Sequence, residues 1–107
     1  MYRINVYIPT THLDIVKEAM FAAGAGRIGL YEACAWETLG KGQFRPLVGS
    51  SPHIGEHGKI EQVEEYKVEM VCETDCLPQV IKALRSSHPY EEPAFDVYQT
   101  VVLSELG

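Results

Sequence analysis

Hydrophobic and polar positions alternate from the start of the chain. In Tyr2-Arg3-Ile4-Asn5-Val6-Tyr7-Ile8, residues Tyr2, Ile4, Val6 and Ile8 fall on one face, the period-two signature of a strand with one buried side. Pro9 ends it, and the period changes. Leu13, Val16, Met20 and Ala23 recur at offsets that line one face of a helix, and Thr11-x-x-Asp14 has the form of a capping box. Gly24 is placed to close that helix in a left-handed conformation. Tyr31 to Leu39 reads as a second strand, with Cys34, Trp36 and Thr38 on one face and the small Ala33 and Ala35 on the other. Gly40-Lys41-Gly42 reads as a turn and Gln43 to Pro46 as a short return strand. Residues 47–58 carry glycines and prolines without any period and are expected to form a loop.

Periodicity resumes over Lys59 to Cys72, an extended segment with Tyr66, Val68, Met70 and Cys72 on one face and Glu65, Lys67 and Glu69 on the other. Val63 is out of phase with the apolar set, which suggests a bulge near Glu64. Asp75 is a natural N-cap for a second helix that tolerates Pro78 in its first turn and turns Leu77, Val80, Ile81 and Leu84 inward. His88-Pro89 stops it, and Ala94 to Leu103, rich in Val, Phe and Tyr, reads as a last strand. The order is β-α-β-β-α-β. The expected fold is therefore α+β, a ferredoxin-like βαββαβ sandwich with an antiparallel sheet and two helices on one face.

Composition narrows the function classes. At 107 residues the chain is expected to form one domain, residues 1–107, with 46% hydrophobic and 22% charged residues as in ordinary globular proteins. A formal net charge of -6 argues against nucleic acid, whose phosphates call for a basic footprint, and against an anionic membrane surface. No segment has the apolar length of a membrane span, and the first residues do not form a secretory signal. Cys34, Cys72 and Cys76 make an odd set with no disulfide spacing, as expected of reduced thiols in a cytoplasmic protein.

The stretch from Gly24 to Ile60 holds the sole Trp and most of the glycines, and three motifs in and after it carry a family resemblance. GAGRIGLYEACAWETLGKGQFRP, GSSPHIGEHGKIEQVEE and HPYEEPAFDVY together resemble the domain inserted in the NIF3-like (NGG1-interacting factor 3-like, YqfO-like) family, itself similar to PII and CutA1 proteins. His88-Pro89-Tyr90-Glu91 is also similar to a stretch near the end of CutA1-type proteins. The resemblance implies a PII/CutA1-like sandwich that self-associates, as a homotrimer ahead of a dimer. It also implies a ligand cleft beneath the loop joining the middle strands. The two-metal site of full-length family members belongs to a flanking domain, so the resemblance is to a standalone version of the insert and carries over no catalytic residue.

Candidate chemistry follows from there. Arg27, Arg45, His88, Tyr90 and Glu91 are expected to line the cleft and bind a small-molecule ligand or a protein partner. His53-x-x-x-His57, with Glu56 between, is the metal candidate, although Pro52, Gly55 and Gly58 argue against the helix that would align the pair, and an exposed loop is the plainer reading. For His88, Tyr90, Glu91 and Glu92, acid–base or metal chemistry competes with a Pro-bounded structural turn at a helix end. Gly24-Ala25-Gly26-Arg27-Ile28-Gly29 follows a helix rather than opening one, which excludes a dinucleotide fingerprint. No nucleophile–base pair is visible, so the expectation is a small oligomeric binding or regulatory module without a cofactor rather than an enzyme. The alternative is a CutA1-like protein that binds a divalent metal.

Overall fold

The computed structural model describes residues 1–101 and Leu103. Alternation in β1 (Tyr2–Pro9) buries Ile4, Val6 and Ile8 completely, and the same alternation in β3 (Glu61–Cys72) buries Val68, Met70 and Cys72. These side chains meet Val16 and Met20 of α1 (Leu13–Ala22) and Val80 and Leu84 of α2 (Leu77–Ser87) in one core. Both helices therefore lie on the same face of the sheet. β2 (Trp36–Phe44) and β4 (Phe95–Gln99) complete it in the order β2-β3-β1-β4, with every neighbouring pair antiparallel. This is the α+β, ferredoxin-like arrangement that the hydrophobic pattern predicts. The opposite face carries Arg3, Asn5 and Tyr7 of β1 beside Lys67 and Glu69 of β3, and among the described residues no helix lies over it.

Gly24 ends α1 as its sequence position implies. At φ +117° it donates to the Phe21 carbonyl, while the Ala25 N–H reaches back to Met20, the paired bonds of a Schellman closure. The helix starts differ from expectation. Each begins after a single 3-10 turn, Thr10–His12 or Thr74–Cys76, and neither the Thr11–Asp14 box nor Asp75 supplies a side-chain cap.

The middle of the chain departs most from its sequence reading. β2 runs straight through Gly40-Lys41-Gly42, with Gly40 opposite Glu65 and Gly42 opposite Val63, so no turn forms there. Neither glycine takes a positive φ, whereas Gly49, Gly55 and Gly58 do, and the reversal occurs among them. The register from Trp36↔Glu69 to Phe44↔Glu61 is unbroken, so β3 has no bulge at Glu64. Residues 31–35 of the expected second strand are not strand; Ile28 and Tyr31 form an isolated bridge instead. The last strand spans Phe95–Gln99, shorter than expected, and Val102 of the expected strand lies outside the described residues.

The β2–β3 ribbon continues past Pro9, where β1 stops. The molecule measures 52 × 25 × 24 Å, with a radius of gyration of 15.2 Å against about 13 Å for a compact chain of this length. The candidate site lies where the four-stranded sheet narrows to two strands.

Candidate functional site

Glu65 marks the step. It pairs with Pro9, the last residue of β1, and on the far side with Gly40 of β2. Strand alternation sets it on the face away from the helices, beside Gly42 and Phe44. A Cβ at Gly42 would overlap the Glu65 carboxylate, so glycine is what allows that side chain to lie across β2. Tyr90 meets it from above, donating its hydroxyl proton to Glu65 Oε2 at 3.3 Å. Burial pushes the Glu65 carboxyl above its ordinary value, and the Tyr90 bond partly offsets this. The Tyr90 hydroxyl is pushed up to about 12, by burial first and then by the charge and hydrogen bond of Glu65.

His88 holds Tyr90 in place. Its Nδ1 lies 3.1 Å from the Tyr90 backbone N and its Nε2 lies 2.7 Å from the Tyr7 carbonyl oxygen. A backbone N–H only donates, so Nδ1 is the acceptor, and Nε2 carries the proton that it donates to Tyr7. Both ring nitrogens of this buried, neutral imidazole are thus occupied by backbone. Burial lowers its pKa, the Tyr7 bond works against that, and His12 and His53 add to the lowering. In the structure His88 joins the end of α2 and the 88–94 turn to β1, the geometry of the structural-turn reading.

The segment after β2 folds over this floor. Gly58 N–H donates to the Pro46 carbonyl at 2.7 Å, and the Ser50 hydroxyl donates to that of Leu47. The Ser51 N–H donates to Glu91 Oε2 at 3.0 Å, tying the segment to the 88–94 turn. His57 Nε2 lies 2.8 Å from the Ser50 carbonyl, a bond inside the segment. His53 sets its ring edge-on to His12, with centroids 5.6 Å apart, and lies near Tyr90. The result is a cavity of about 390 Å³. Its apolar walls include Phe44, Pro46, Ile54 and Tyr90, and its charged residues are Arg45, Glu65, Glu91 and Glu92.

Of the residues singled out from sequence, Arg45, Tyr90, Glu91 and His53 line this cavity, His88 sits behind Tyr90 with its ring centroid 4.9 Å away, and His57 braces the segment. Arg27 is not with them. It borders a separate hollow of about 240 Å³ beyond the end of α1, with Phe21, Glu32 and Ala33. Sequence reasoning passed over Glu65, which looked like one of a solvated run of carboxylates, and His12 and Phe44. The available signal for Glu65 was the glycine within the facing strand, since a glycine there marks close approach by another group.

Among the described residues no three or more His, Cys, Asp or Glu side chains are grouped to hold a metal ion. Cys34, Cys72 and Cys76 are free thiols, and burial, with Cys76 and Glu73 nearby, pushes the Cys72 thiol up. Among the described residues no helix is long and apolar enough to cross a membrane.

No family model matches the chain. Among known proteins it is 45% identical over 113 residues to the GTP cyclohydrolase 1 type 2 homolog of Halalkalibacterium halodurans, covering 100% of this chain and 30% of that protein. It is 44% identical over 108 residues to the protein of the same name from Bacillus subtilis, covering 98% of this chain and 29% of that one. The chain thus spans about three tenths of the length of these relatives. Among solved structures, a Bacillus cereus protein related to NIF3 superposes with a TM-score of 0.78 at 39% identity, over 91% of this chain and 24% of that one. The periplasmic divalent cation tolerance protein CutA from Archaeoglobus fulgidus superposes with a TM-score of 0.67 over 99% of this chain and 91% of its own, at 17% identity, which shows a shared fold alone. Sequence identity along nearly the whole chain and the same sandwich in a NIF3-related structure agree: the chain belongs to the NIF3-like family, matching one domain-sized part of its longer members.

Proposed function

We propose that this domain is a binding module of the cytoplasm and that its cavity at the step in the sheet receives a small molecule. The cavity carries the reading. At about 390 Å³ it falls within the range of small-ligand sites, and its walls are mostly apolar with a few polar groups converging on them. A regulatory role follows from its construction. The segment over the cavity is fastened by side-chain bonds such as Ser51 to Glu91, which an occupant would strengthen or displace. Free thiols support a reducing compartment.

Self-association belongs to the same reading, as a homotrimer ahead of a dimer. The sheet face without helices supports it, since Trp36 and Tyr98 are exposed there beside Thr38 and Asp96. The name GTP cyclohydrolase 1 type 2 homolog belongs to proteins more than three times as long as the matching part, and no GTP chemistry is proposed for this domain. Divalent-metal binding is the alternative, and its support is the closeness of the His12 and His53 rings.

Native mass spectrometry of the gently purified protein tests these readings together. The expected result is a trimer retaining an organic mass that the cavity variant Ile54→Glu loses while still folding. A retained mass that survives Ile54→Glu would place binding elsewhere, a bare monomer would overturn the oligomer, and stoichiometric metal would favour the alternative.

A further inference from the structure

The charges of the cavity are not arranged symmetrically. Its half-buried charged side chain is Glu65, on the floor, with one oxygen accepting from Tyr90 and the other turned across Gly42. Among the described residues no cation pairs with Glu65; the ion pairs formed there are Lys17–Glu37 and Lys59–Glu56. Arg45, Glu91 and Glu92 are exposed, so they act at the rim and are screened by water. Counted together, three carboxylates face one guanidinium. Around the floor stand Phe44 and Tyr90, with ring centroids 6.0 Å apart, and Tyr7 also borders the space. Aromatic faces carry the negative side of their quadrupole and favour cations, most of all where water is reduced.

We propose that the cavity selects an organic cation: an amine or amidine protonated at neutral pH, set against Glu65 between Phe44 and Tyr90, with an apolar body lying along Pro46 and Ile54. The inference rests on the reading of the cavity as a small-molecule site and names the ligand class for it. The half-buried carboxylate lacks a counter-ion, and a protonated nitrogen supplies one together with the donors its free oxygen can accept. That arrangement runs against a nucleotide or another polyanion, which would bring phosphates to an acidic floor.

A charge series on one scaffold tests the idea: 3-phenylpropylamine, 3-phenylpropanol and 3-phenylpropionate, titrated against the full chain and followed by amide chemical shifts of residues 43–54 and 90–92. The amine is expected to bind about tenfold more tightly than the alcohol, and the carboxylate not measurably, with the preference falling as salt is raised. Glu65→Gln is expected to bring the amine down to the alcohol. Gly42→Ala, which keeps the charge but displaces the Glu65 carboxylate, is expected to do much the same. Arg45→Ala is expected to leave amine binding intact or strengthen it. If amine and alcohol bind wild-type protein equally, or the carboxylate binds best, the cation assignment is overturned while the cavity remains a binding site. If none of the three moves those amides, the binding-site reading itself fails. The wild-type comparison stands even if a variant does not fold.

Discussion

The segments at the two ends of β2 are both built on left-handed residues, yet they are held by different forces. Before β2, residues 24–35 include Gly24, Gly26, Gly29 and Ala33 at positive φ and are anchored by backbone. Gly26 N–H donates to the Val71 carbonyl, and Cys34 N–H donates to the Gly26 carbonyl, both at 2.8 Å. Gly26 has no room for a side chain, since a Cβ would sit 2.8 Å from the Phe21 ring and 2.9 Å from the Cys34 carbonyl. After β2, residues 45–60 include Gly49 and Gly58 at positive φ with open space around them. There side chains share the hold with backbone bonds: the Ser50 hydroxyl and the His57 ring bond carbonyls within the segment, and the Glu91 carboxylate accepts from the Ser51 N–H. The first segment is fixed where Gly24, Ala25 and Gly26 pack against the core, whereas the second has no buried glycine and is held in part by side-chain bonds that solvent or a ligand can exchange. Adaptability therefore belongs to the cavity end, whereas the buried Gly24–Gly26 turn forms a tightly packed knob beneath the exposed tip of residues 27–33.

Gly26→Ala gives the largest expected break in this comparison. Left-handed strain and the clash with Phe21 together cost about 3 kcal/mol, or a Tm lower by about 12–24 °C in thermal unfolding followed by circular dichroism. A near-normal Tm would show that the knob yields as easily as the cavity segment. His88→Ala comes next, at about 2 kcal/mol, because it leaves the Tyr7 carbonyl and the Tyr90 N–H without partners. It should also release the 88–94 turn, seen as faster amide exchange at residues 90–94 and lost ligand binding. Gly49→Ala is the counterpart of Gly26→Ala in the second segment. With nothing near its Cβ, only the strain of φ +101° remains, at about 1 kcal/mol. A loss equal to that of Gly26→Ala would erase the distinction between the ends.

The smallest effect is a slope with pH. His88 has its folded pKa lowered from 6.5, so its share of stability is complete above 6.5 and is lost as pH falls through the lowered value. Glu65, raised above 4.5 in the folded state, acts in the opposite sense: its share is complete below 4.5 and is lost as pH rises through the raised value. Thermal midpoints measured from about pH 7.5 down to about pH 5 should fall more steeply in Glu65→Gln than in wild type, and less steeply in His88→Gln. Parallel profiles in all three proteins would separate the two groups from acid stability.

The fold was legible because it rests on periodicity. Ile4, Val6, Ile8, Val68 and Met70 announce their strands by alternation, and Val16, Met20, Val80 and Leu84 announce their helices by offset, with each set buried where the pattern puts it. The Gly40-Lys41-Gly42 turn was misread because glycine serves two purposes, a positive φ or a close approach. Only the partner, here Glu65 lying over Gly42, tells them apart. The candidate site was partly legible for a similar reason. Tyr90, Glu91, Arg45 and His53 stand out as residue types, but their meeting depends on the 45–60 segment folding back to Glu91, which no local pattern encodes. Arg27 looked equivalent to Arg45 in the sequence and lies beyond the other end of α1.

The bond from His88 to the Tyr7 carbonyl spans 81 residues of chain. Closing so wide a loop must overcome its entropy before any contact rewards it, so such contacts form late in folding. During synthesis the first strand leaves the ribosome long before the 88–94 turn that it anchors. Tyr90 cannot be held over Glu65 until that turn arrives. A ligand in the cavity would therefore find no foothold on β1 alone, and its binding would mark molecules whose 88–94 turn has already docked onto that strand.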